Sequence, residues 1–413
     1  MNLRNPSHRE RRDVERAGQR ASQLFSQGRH EDALLLCLQV ARRWPQLPAV
    51  WTDAAVNCVK LGRWEEAIDH AHRALRSGGE SLALFDALSH AHGGLRQWEQ
   101  VRTYGLRALN LREARFGQAV PIAHESPPLP PPPCAESRAY NLIAFSLFGG
   151  NSKYCETAVL NVLEQPRLYP GWTCRFYIDD SVPAAIVQRL LENGGQVVRV
   201  DETARQWPGP MWRFLALEDP QARRILFRDA DSVISQREAE AVQQWLDSGT
   251  LFHAMRDNST HTELLLAGLW GCVGGALPPL RELARRFFAE PLASRHFADQ
   301  YFLRQYVWPY ARLSLLQHDS MFGFLGAAGF PGGPMPEDFH VGYAEGSPWF
   351  SLPCTLPEGS IVRWTFLHRE GEGERAVCDY PATVSGGKVQ GHLPARYADQ
   401  IRAGKARIVL APA

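Results

Sequence analysis

Two aspartates directly after an apolar run carry the clearest chemical signal in this sequence. Arg224 to Asp231 reads RILFRDAD, and Ile225–Phe227 predicts a buried strand that ends just before Asp229 and Asp231. Side chains two positions apart on an extended chain point the same way, so both carboxylates can bind one ligand. In open α/β sheets ligands bind outside the carboxyl ends of the strands. Paired carboxylates at that place suit a hard divalent cation that also binds phosphate oxygens.

Other residues near this run could contact a ligand bound there. Arg213 and Arg228 are candidate diphosphate partners, because a guanidinium matches phosphate oxygens bidentately; the alternative for each is a surface salt bridge. Gly268 and Trp270 follow the apolar run Leu264–Leu266. Glycine there would let the backbone approach a ligand closely, and Trp270 would stack on the apolar face of that ligand or, alternatively, fill the core.

The elements around these residues alternate between strands and helices. Strands are predicted at Tyr140–Phe148, Cys174–Ile178 and Gln196–Val200, and helices at Tyr154–Leu163 and Ala184–Glu192. Such alternation predicts a mainly parallel sheet with helices on both faces.

This part of the chain resembles the GT-A-type (Rossmann-like) nucleotide-sugar glycosyltransferases, whose D-x-D motif binds Mn²⁺ or Mg²⁺ and the donor diphosphate. The resemblance covers about residues 139–345. The segments that carry it are Phe145–Gly149, Tyr169–Pro183, Met211–Phe214, Phe227–Ser232, Met255–Asp257, Gly268–Cys272, Ala298–Leu303 and His318–Ser320.

The resemblance implies a metal site and its ligands. Asp229 and Asp231 would hold the cation, with Asp231 as the direct ligand and Asp229 nearer the ribose. Retaining enzymes of the glycogenin type add a histidine from near the end of the domain, which implies His318, with His340 as the alternative.

The resemblance also implies residues for the donor. The end of the first strand would line the base and ribose through Ser146, Leu147 and Gly149. Asp299 and Gln300 resemble the D-Q pair that contacts the transferred sugar in glycogenin-like enzymes, which makes Asp299 the nearest carboxylate to the reacting carbon. Inversion of configuration would need a base, Asp299 or Asp257. The D-Q pair and the late histidine favour retention, and a UDP-sugar is the expected donor.

The first part of the chain repeats every 34 residues. Gly28–Ala33 (GRHEDA) and Gly62–Ala67 (GRWEEA) share this offset, and Arg96–Val101 is a weaker copy. The period and the small residues at fixed positions resemble the tetratricopeptide repeat over residues 14–116. Such arrays bind peptides or act as packing scaffolds. We expect Trp51, Asn57, Asp86 and His90 to face a concave surface that recognises a protein or peptide acceptor.

Four regions are therefore predicted in a multidomain protein. An α-helical tetratricopeptide-repeat array (14–116) leads through a Pro-rich linker (117–138) to an α/β GT-A domain (139–350). Alternating segments then predict a small β-rich C-terminal module (351–413).

The composition limits the class of protein. The 413 residues carry a net charge of +1, which argues against a nucleic-acid partner. No apolar stretch reaches the roughly 20 residues of a membrane span, and the N-terminal residues lack the pattern of a signal peptide. Eight scattered cysteines suit a reducing compartment, so a cytoplasmic location is expected.

Two other functions fit parts of the sequence. Asp229-x-Asp231-Ser-Val233 also fits the nucleophile motif of haloacid-dehalogenase-type phosphatases, but the only later lysines are Lys388 and Lys405. The second alternative is a non-enzymatic repeat scaffold fused to an inactive transferase-like domain.

Overall fold

A computed structural model describes residues 8–292, 294–333, 339–371 and 373–412. The chain divides into two compact units. The first contains the residues up to 120 together with 255–266 and 317–330, and the second contains 121–254, 267–316 and 331–413. Each unit thus joins segments that are distant in sequence, whereas the predicted domains are consecutive blocks; the boundaries after residues 116, 138 and 350 stay predictions.

The helical region predicted at the start of the chain is confirmed. Its six helices are α1 (His8–Ser26), α2 (His30–Arg43), α3 (Pro48–Lys60), α4 (Trp64–Arg76), α5 (Leu82–Gly94) and α6 (Trp98–Phe116). Gly28 and Gly62 have positive φ angles of 73° and 70° in the tight turns before α2 and α4, where a side chain would be strained. Ala54, Ala71 and Ala91 are completely buried, and their small size lets neighbouring helices approach closely.

The inner residues of this unit contact its two later segments. Ser89 on α5 donates a hydrogen bond to the Ser259 carbonyl at 2.7 Å. Arg112 on α6 binds Asp86 at 3.0 and 2.8 Å and Glu263 at 3.1 Å. Residues 255–266 therefore cover part of the face that the repeats present.

This contact corrects the predicted peptide surface. Asp86 also accepts a hydrogen bond from Thr262 at 2.7 Å, and His90 interacts with the backbone of Thr260. Trp51 donates to the Pro45 carbonyl at 2.8 Å, and Asn57 donates to the Asp53 carbonyl at 2.8 Å. Asp86 and His90 are thus engaged by residues 260–262, which return to the array from far along the sequence. The partners of Trp51 and Asn57 are carbonyls of nearby residues, so their role in binding a peptide stays a prediction.

The α/β region is also confirmed, with a mostly parallel sheet. Its strands are β1 (Asn141–Leu147), β2 (Thr173–Ile178), β3 (Gln196–Arg199), β4 (Arg224–Arg228), β5 (Phe252–Arg256), β6 (Trp270–Val273) and β7 (Leu315–Asp319). They follow the order β3-β2-β1-β4-β6-β5-β7, in which β3, β2, β1 and β4 are parallel and β6 is antiparallel to β4 and β5.

Helices connect these strands. They are α7 (Ser152–Leu168), α8 (Ala184–Glu192), α9 (Glu202–Arg205), α10 (Gln236–Ser248), α11 (Leu280–Phe287), α12 (Ala298–Phe302) and α13 (Trp308–Ala311). A ten-residue 3₁₀ helix, Gly209–Glu218, precedes β4, and a π-helical turn, Leu303–Val307, follows α12. The Pro-rich segment lies against the start of β4, because Arg224 donates to the carbonyls of Pro130 and Pro131 at 2.8 and 2.6 Å.

The last part of the chain forms two small antiparallel sheets, in agreement with the predicted β-rich module. Its elements are β8 (Trp349–Pro353), β9 (Ile361–Glu370), β10 (Gly373–Thr383), β11 (Lys388–His392), α14 (Ala395–Arg402) and β12 (Ala406–Pro412). One sheet has the order β10-β9-β12 and the other pairs β11 with β8. Among the described helices of the whole chain, none combines the length and apolar character that a membrane crossing needs.

Candidate active site

A cavity of about 420 Å³ lies at the carboxyl ends of β1 and β4. It is where a doubly wound sheet binds its ligands, since loops leaving adjacent parallel strands meet there. Seven of the predicted site residues line it: Ser146, Leu147, Arg213, Asp229, Asp231, Asp299 and Gln300. Its other lining residues are Phe148, Tyr154, Pro210, Ala230, Ala267, His296 and Phe297.

The two aspartates of the D-x-D motif follow the last residue of β4 and both line this cavity. The Asp229 side chain is about half exposed (53%), whereas Asp231 is more enclosed (22%). Gly268 lies directly against Asp229, since a Cβ on Gly268 would stand 2.0 Å from Asp229 Oδ2. The group that approaches the backbone at Gly268 is therefore the carboxylate of Asp229.

Arg213 connects two carboxylates of the site, Asp229 and Asp299. Its side chain is almost completely buried (3% exposed) and donates to Asp229 Oδ1 at 2.5 Å and to Asp299 Oδ2 at 2.7 Å. Its backbone N–H donates to Ser146 Oγ at 2.9 Å, which ties the 3₁₀ helix to the end of β1. Burial disfavours the charged guanidinium, but the two carboxylates outweigh it and raise the pKa of Arg213. Arg213 thus stays a cation at the cavity wall.

Lys153 is a second cation that the sequence reasoning missed. It lies in the first turn of α7, where Asn151 caps the helix by accepting from the Lys153 N–H at 2.9 Å. Its Nζ is 3.1 Å from Asp231 Oδ2. Burial and the charge of Asp229 raise the pKa of Asp231, and Lys153 opposes this rise. The available signal was a lysine just after the Gly149-Gly150 turn that follows β1.

Asp299 is held in place at the start of α12. Besides Arg213, it accepts a hydrogen bond from the Gln300 backbone N–H at 2.8 Å. Burial raises its pKa, Arg213 opposes the rise and Asp229 adds to it. The side chain of Gln300 accepts from the Ala267 N–H at 2.8 Å, so α12 is fastened to the loop before β6.

Two predicted donor contacts are corrected to core roles. Arg228 is buried and donates to Glu238 at 2.8 Å and to the Trp270 carbonyl at 3.1 Å. Trp270 is completely buried and stacks on Phe227, its cross-strand partner, at a ring-centroid distance of 4.2 Å. Both side chains are buried and bind or pack against neighbouring elements, so they are not available to a sugar nucleotide.

The remaining predicted residues lie elsewhere. Gly149 donates from its N–H to Ser181 Oγ at 2.7 Å. Asp257 and His318 belong to the first unit: Asp257 accepts from Ser320 Oγ at 2.6 Å, and the His318 ring is 5.6 Å from that of Phe330. His340, in the second unit, contacts the Val341 carbonyl at 3.0 Å. Neither histidine lines the cavity described above, and the third ligand stays a prediction.

The donor set fits a divalent cation held by Asp229 and Asp231. Both offer carboxylate oxygens, and a cation would offset the repulsion and burial that raise the pKa of Asp231. Within the described residues, no third Asp, Glu, His or Cys joins them in a tight three-ligand group. Besides the predicted histidine, the remaining ligands would come from the diphosphate and from water.

Comparison with known proteins adds little at the sequence level. No family model matches the chain, and no curated protein matches it. A mutant O-GlcNAc transferase from Thermobaculum terrenum is similar with a TM-score of 0.30 and 14% identity, over 54% of this chain and 51% of that one. A 4-diphosphocytidyl-2C-methyl-D-erythritol synthase from Anaerococcus prevotii is similar with a TM-score of 0.27 and 10% identity, over 41% of this chain and 84% of that one.

This chain thus spans about half the length of the first protein. The first protein is a transferase by name and the second a synthase, and the TM-scores of 0.30 and 0.27 are too low to establish a shared fold with either. The function must be argued from the site.

Proposed function

We propose that this protein is a metal-dependent glycosyltransferase of GT-A type that uses a nucleotide-diphosphate sugar, most simply a UDP-sugar. One observation carries the proposal: the D-x-D carboxylates line the same cavity as Arg213, Asp299 and Gln300, at the carboxyl ends of β1 and β4. The cavity thus combines a cation site, a fixed guanidinium and a buried carboxylate. A diphosphate leaving group and a sugar with developing positive charge require these groups.

The cationic groups act on the leaving group. A Mn²⁺ or Mg²⁺ ion on Asp229 and Asp231 would supply positive charge to the diphosphate. Arg213, which lines the cavity, is 2.5 Å from Asp229, and Lys153 is 3.1 Å from Asp231, so each carboxylate of the motif has a cation beside it. Because Arg213 is buried and hydrogen-bonded, it needs little reorganisation when charge develops.

Asp299 acts on the sugar. Its two oxygens are held by Arg213 and by the Gln300 N–H, so the carboxylate is positioned rather than free to swing. A fixed negative charge stabilises an oxocarbenium-like carbon. Phe148 and Tyr154 give the cavity the aromatic surface that a nucleobase needs.

The acceptor is proposed to be a protein or peptide. The predicted tetratricopeptide array would raise the local concentration of such an acceptor at the donor. Its contacts must come from residues other than Asp86 and His90, which are held by residues 260–263. Deleting residues 14–116 is a poor test of this idea, because 255–266 would lose the helices against which they pack.

The test of the donor chemistry is Mn²⁺-dependent hydrolysis of a panel of UDP-sugars, measured for the full chain. Asp231→Asn should lower the rate by about 100- to 1000-fold, as loss of a main electrostatic contact does, and excess EDTA should abolish turnover. Asp180→Asn is the control, since Asp180 is an exposed partner of Arg199 and Arg205.

Three results would contradict the proposal. Full activity of Asp231→Asn or in EDTA would remove the metal assignment. Hydrolysis of simple phosphate monoesters without cleavage of sugar nucleotides would favour the phosphatase. The absence of turnover and of a donor-induced rise in Tm would favour the scaffold.

A further inference from the structure

A second group of metal-ligand side chains lies in the helical unit, apart from the D-x-D motif. Cys58 is on α3, and Glu66 and His70 are on α4. The Sγ, a carboxylate oxygen and an imidazole nitrogen lie within 4.8 Å of one another. Among the described residues, no other three His, Cys, Asp or Glu side chains bring their ligand atoms this close together.

The surroundings of the group favour a bound cation. Cys58 is completely buried, His70 is 9% exposed, and Nδ1 of His70 is buried without a hydrogen-bond partner among the described residues. An unpaired buried nitrogen is costly, and a metal–nitrogen bond removes that cost. The nearby guanidinium groups are already engaged, since Arg63 binds Glu31 at 2.8 Å and Arg73 binds Asp69 at 2.8 Å.

The helix geometry explains why the three side chains meet. Glu66 and His70 are one turn apart on α4, so they lie on the same face. Cys58 reaches them from the antiparallel neighbour of α4, just before the turn at Gly62. A metal bound here would link the two helices that form the second 34-residue repeat.

We propose that Cys58, Glu66 and His70 form a zinc site. Thiolate, imidazole and carboxylate are ligands of Zn²⁺. Its tetrahedral bonds of about 2.0–2.3 Å place ligand atoms less than about 4 Å apart, so binding would draw the three side chains together from separations of up to 4.8 Å. Binding releases the thiol proton of Cys58 to solvent. The +2 charge of the ion is then balanced by one thiolate and one carboxylate, so a neutral complex is buried. The exposed side at Glu66 leaves the fourth position to water.

The experiment uses Co²⁺ as a spectroscopic probe of the full-length chain, in the wild type and in Asp231→Asn. We expect one equivalent of Co²⁺ to give a thiolate-to-metal charge-transfer absorption that Zn²⁺ displaces and that persists in Asp231→Asn. Cys58→Ser should abolish the band. Cys37→Ser, which changes another buried cysteine on α2, should retain it.

Glu66→Gln decides the matter if Cys58→Ser does not fold. Glu66 is exposed, so the variant keeps the helical core, and its affinity for Co²⁺ should fall by at least about tenfold. The control is Glu65→Gln on the same turn, which should leave the affinity unchanged. Unchanged affinity of Glu66→Gln, or a bound Co²⁺ without a thiolate band, overturns the zinc site. Loss of the band in Asp231→Asn also overturns it, while the donor proposal stands on its own test.

Discussion

Two buried arginines, one in each unit, hold pairs of carboxylates in the same way. Arg213 binds Asp229 and Asp299, and Arg112 binds Asp86 and Glu263. Both guanidinium groups are nearly inaccessible, and the carboxylates raise the pKa of each arginine against the effect of burial. The motif of two carboxylates around one arginine therefore does not by itself identify a site.

The difference lies in what surrounds the carboxylates. Asp86 also accepts from Thr262, and its side chain is only 24% exposed, so this cluster joins helices to the segment 255–266. Asp229 is half exposed, lines the cavity and is followed by a second cavity carboxylate, Asp231. The first cluster stabilises the fold, whereas the second presents charge to a ligand.

The largest expected effect is on the stability of the first cluster. Arg112→Met should lower the free energy of unfolding by about 3–5 kcal/mol, because Asp86 and Glu263 would remain enclosed without their cation. Urea unfolding measures this loss. Arg115→Met on the exposed side of α6 is the control and should change stability by less than about 0.5 kcal/mol. A loss of similar size in both variants would mean that Arg112 contributes only its apolar stem.

Arg213→Met should instead affect catalysis first. Donor cleavage is expected to fall by about 100- to 1000-fold, because a preorganised charge at the leaving group is lost. The loss of stability should be smaller than for Arg112→Met, since Asp229 is half exposed and Asp299 can take up a proton. Arg205→Met, which removes an exposed partner of Asp180, is the control. Full turnover in Arg213→Met would make the two clusters equivalent and remove the distinction.

Two glycines test the same contrast at smaller magnitude. A Cβ on Gly105 would be 2.1 Å from Cε1 of the buried Phe322, so Gly105→Ala should cost about 1–3 kcal/mol of stability by overpacking. A Cβ on Gly268 would stand 2.0 Å from Asp229 Oδ2 and 3.0 Å from the Asp229 backbone nitrogen, so Gly268→Ala should displace this carboxylate from Arg213 and reduce donor turnover by about tenfold. Because Asp229 is half exposed and can shift toward solvent, the loss of stability should be smaller than for Gly105→Ala. Gly329→Ala, with open space around its Cβ, is the control. The reverse pattern would contradict the assigned roles.

Local patterns explain what the sequence predicted well. The apolar run Ile225–Phe227 lies within β4, and the helix predicted at Ala184–Glu192 has those bounds. Strand ends and the D-x-D motif are adjacent in the chain, so their placement follows from periodicity alone.

Contacts between distant residues explain what the sequence did not predict. Lys153 follows β1 in the sequence, whereas its partner Asp231 follows β4. Arg112 and Glu263 are 151 positions apart. No periodicity in either segment encodes such a pairing. Arg228 was a candidate phosphate ligand because a guanidinium matches phosphate oxygens, but in β4 its side chain turns to the buried Glu238.

The smallest predicted effect concerns the pH dependence of the Arg213 cluster. Because burial raises the pKa of Asp299 in the folded protein, the folded state holds the proton more tightly than the unfolded chain, whose pKa is about 3.9. Stability contributed by this proton is therefore present at low pH and declines as pH rises through the folded pKa, by at most about 1.4 kcal/mol per pH unit.

The amide of Asp299→Asn cannot take up or release this proton, so its free energy of unfolding should not show this decline with rising pH. The free energy of unfolding of the wild type minus that of Asp299→Asn should thus decrease as pH rises above about 4, measured by urea unfolding at a series of pH values. Asp247→Asn, at an exposed carboxylate near the end of α10, is the control for general effects of charge. A difference that grows with pH would mean that the attraction of Arg213 dominates burial. Asp299 would then resemble a fully compensated ion pair, and its place in the donor site would need another explanation.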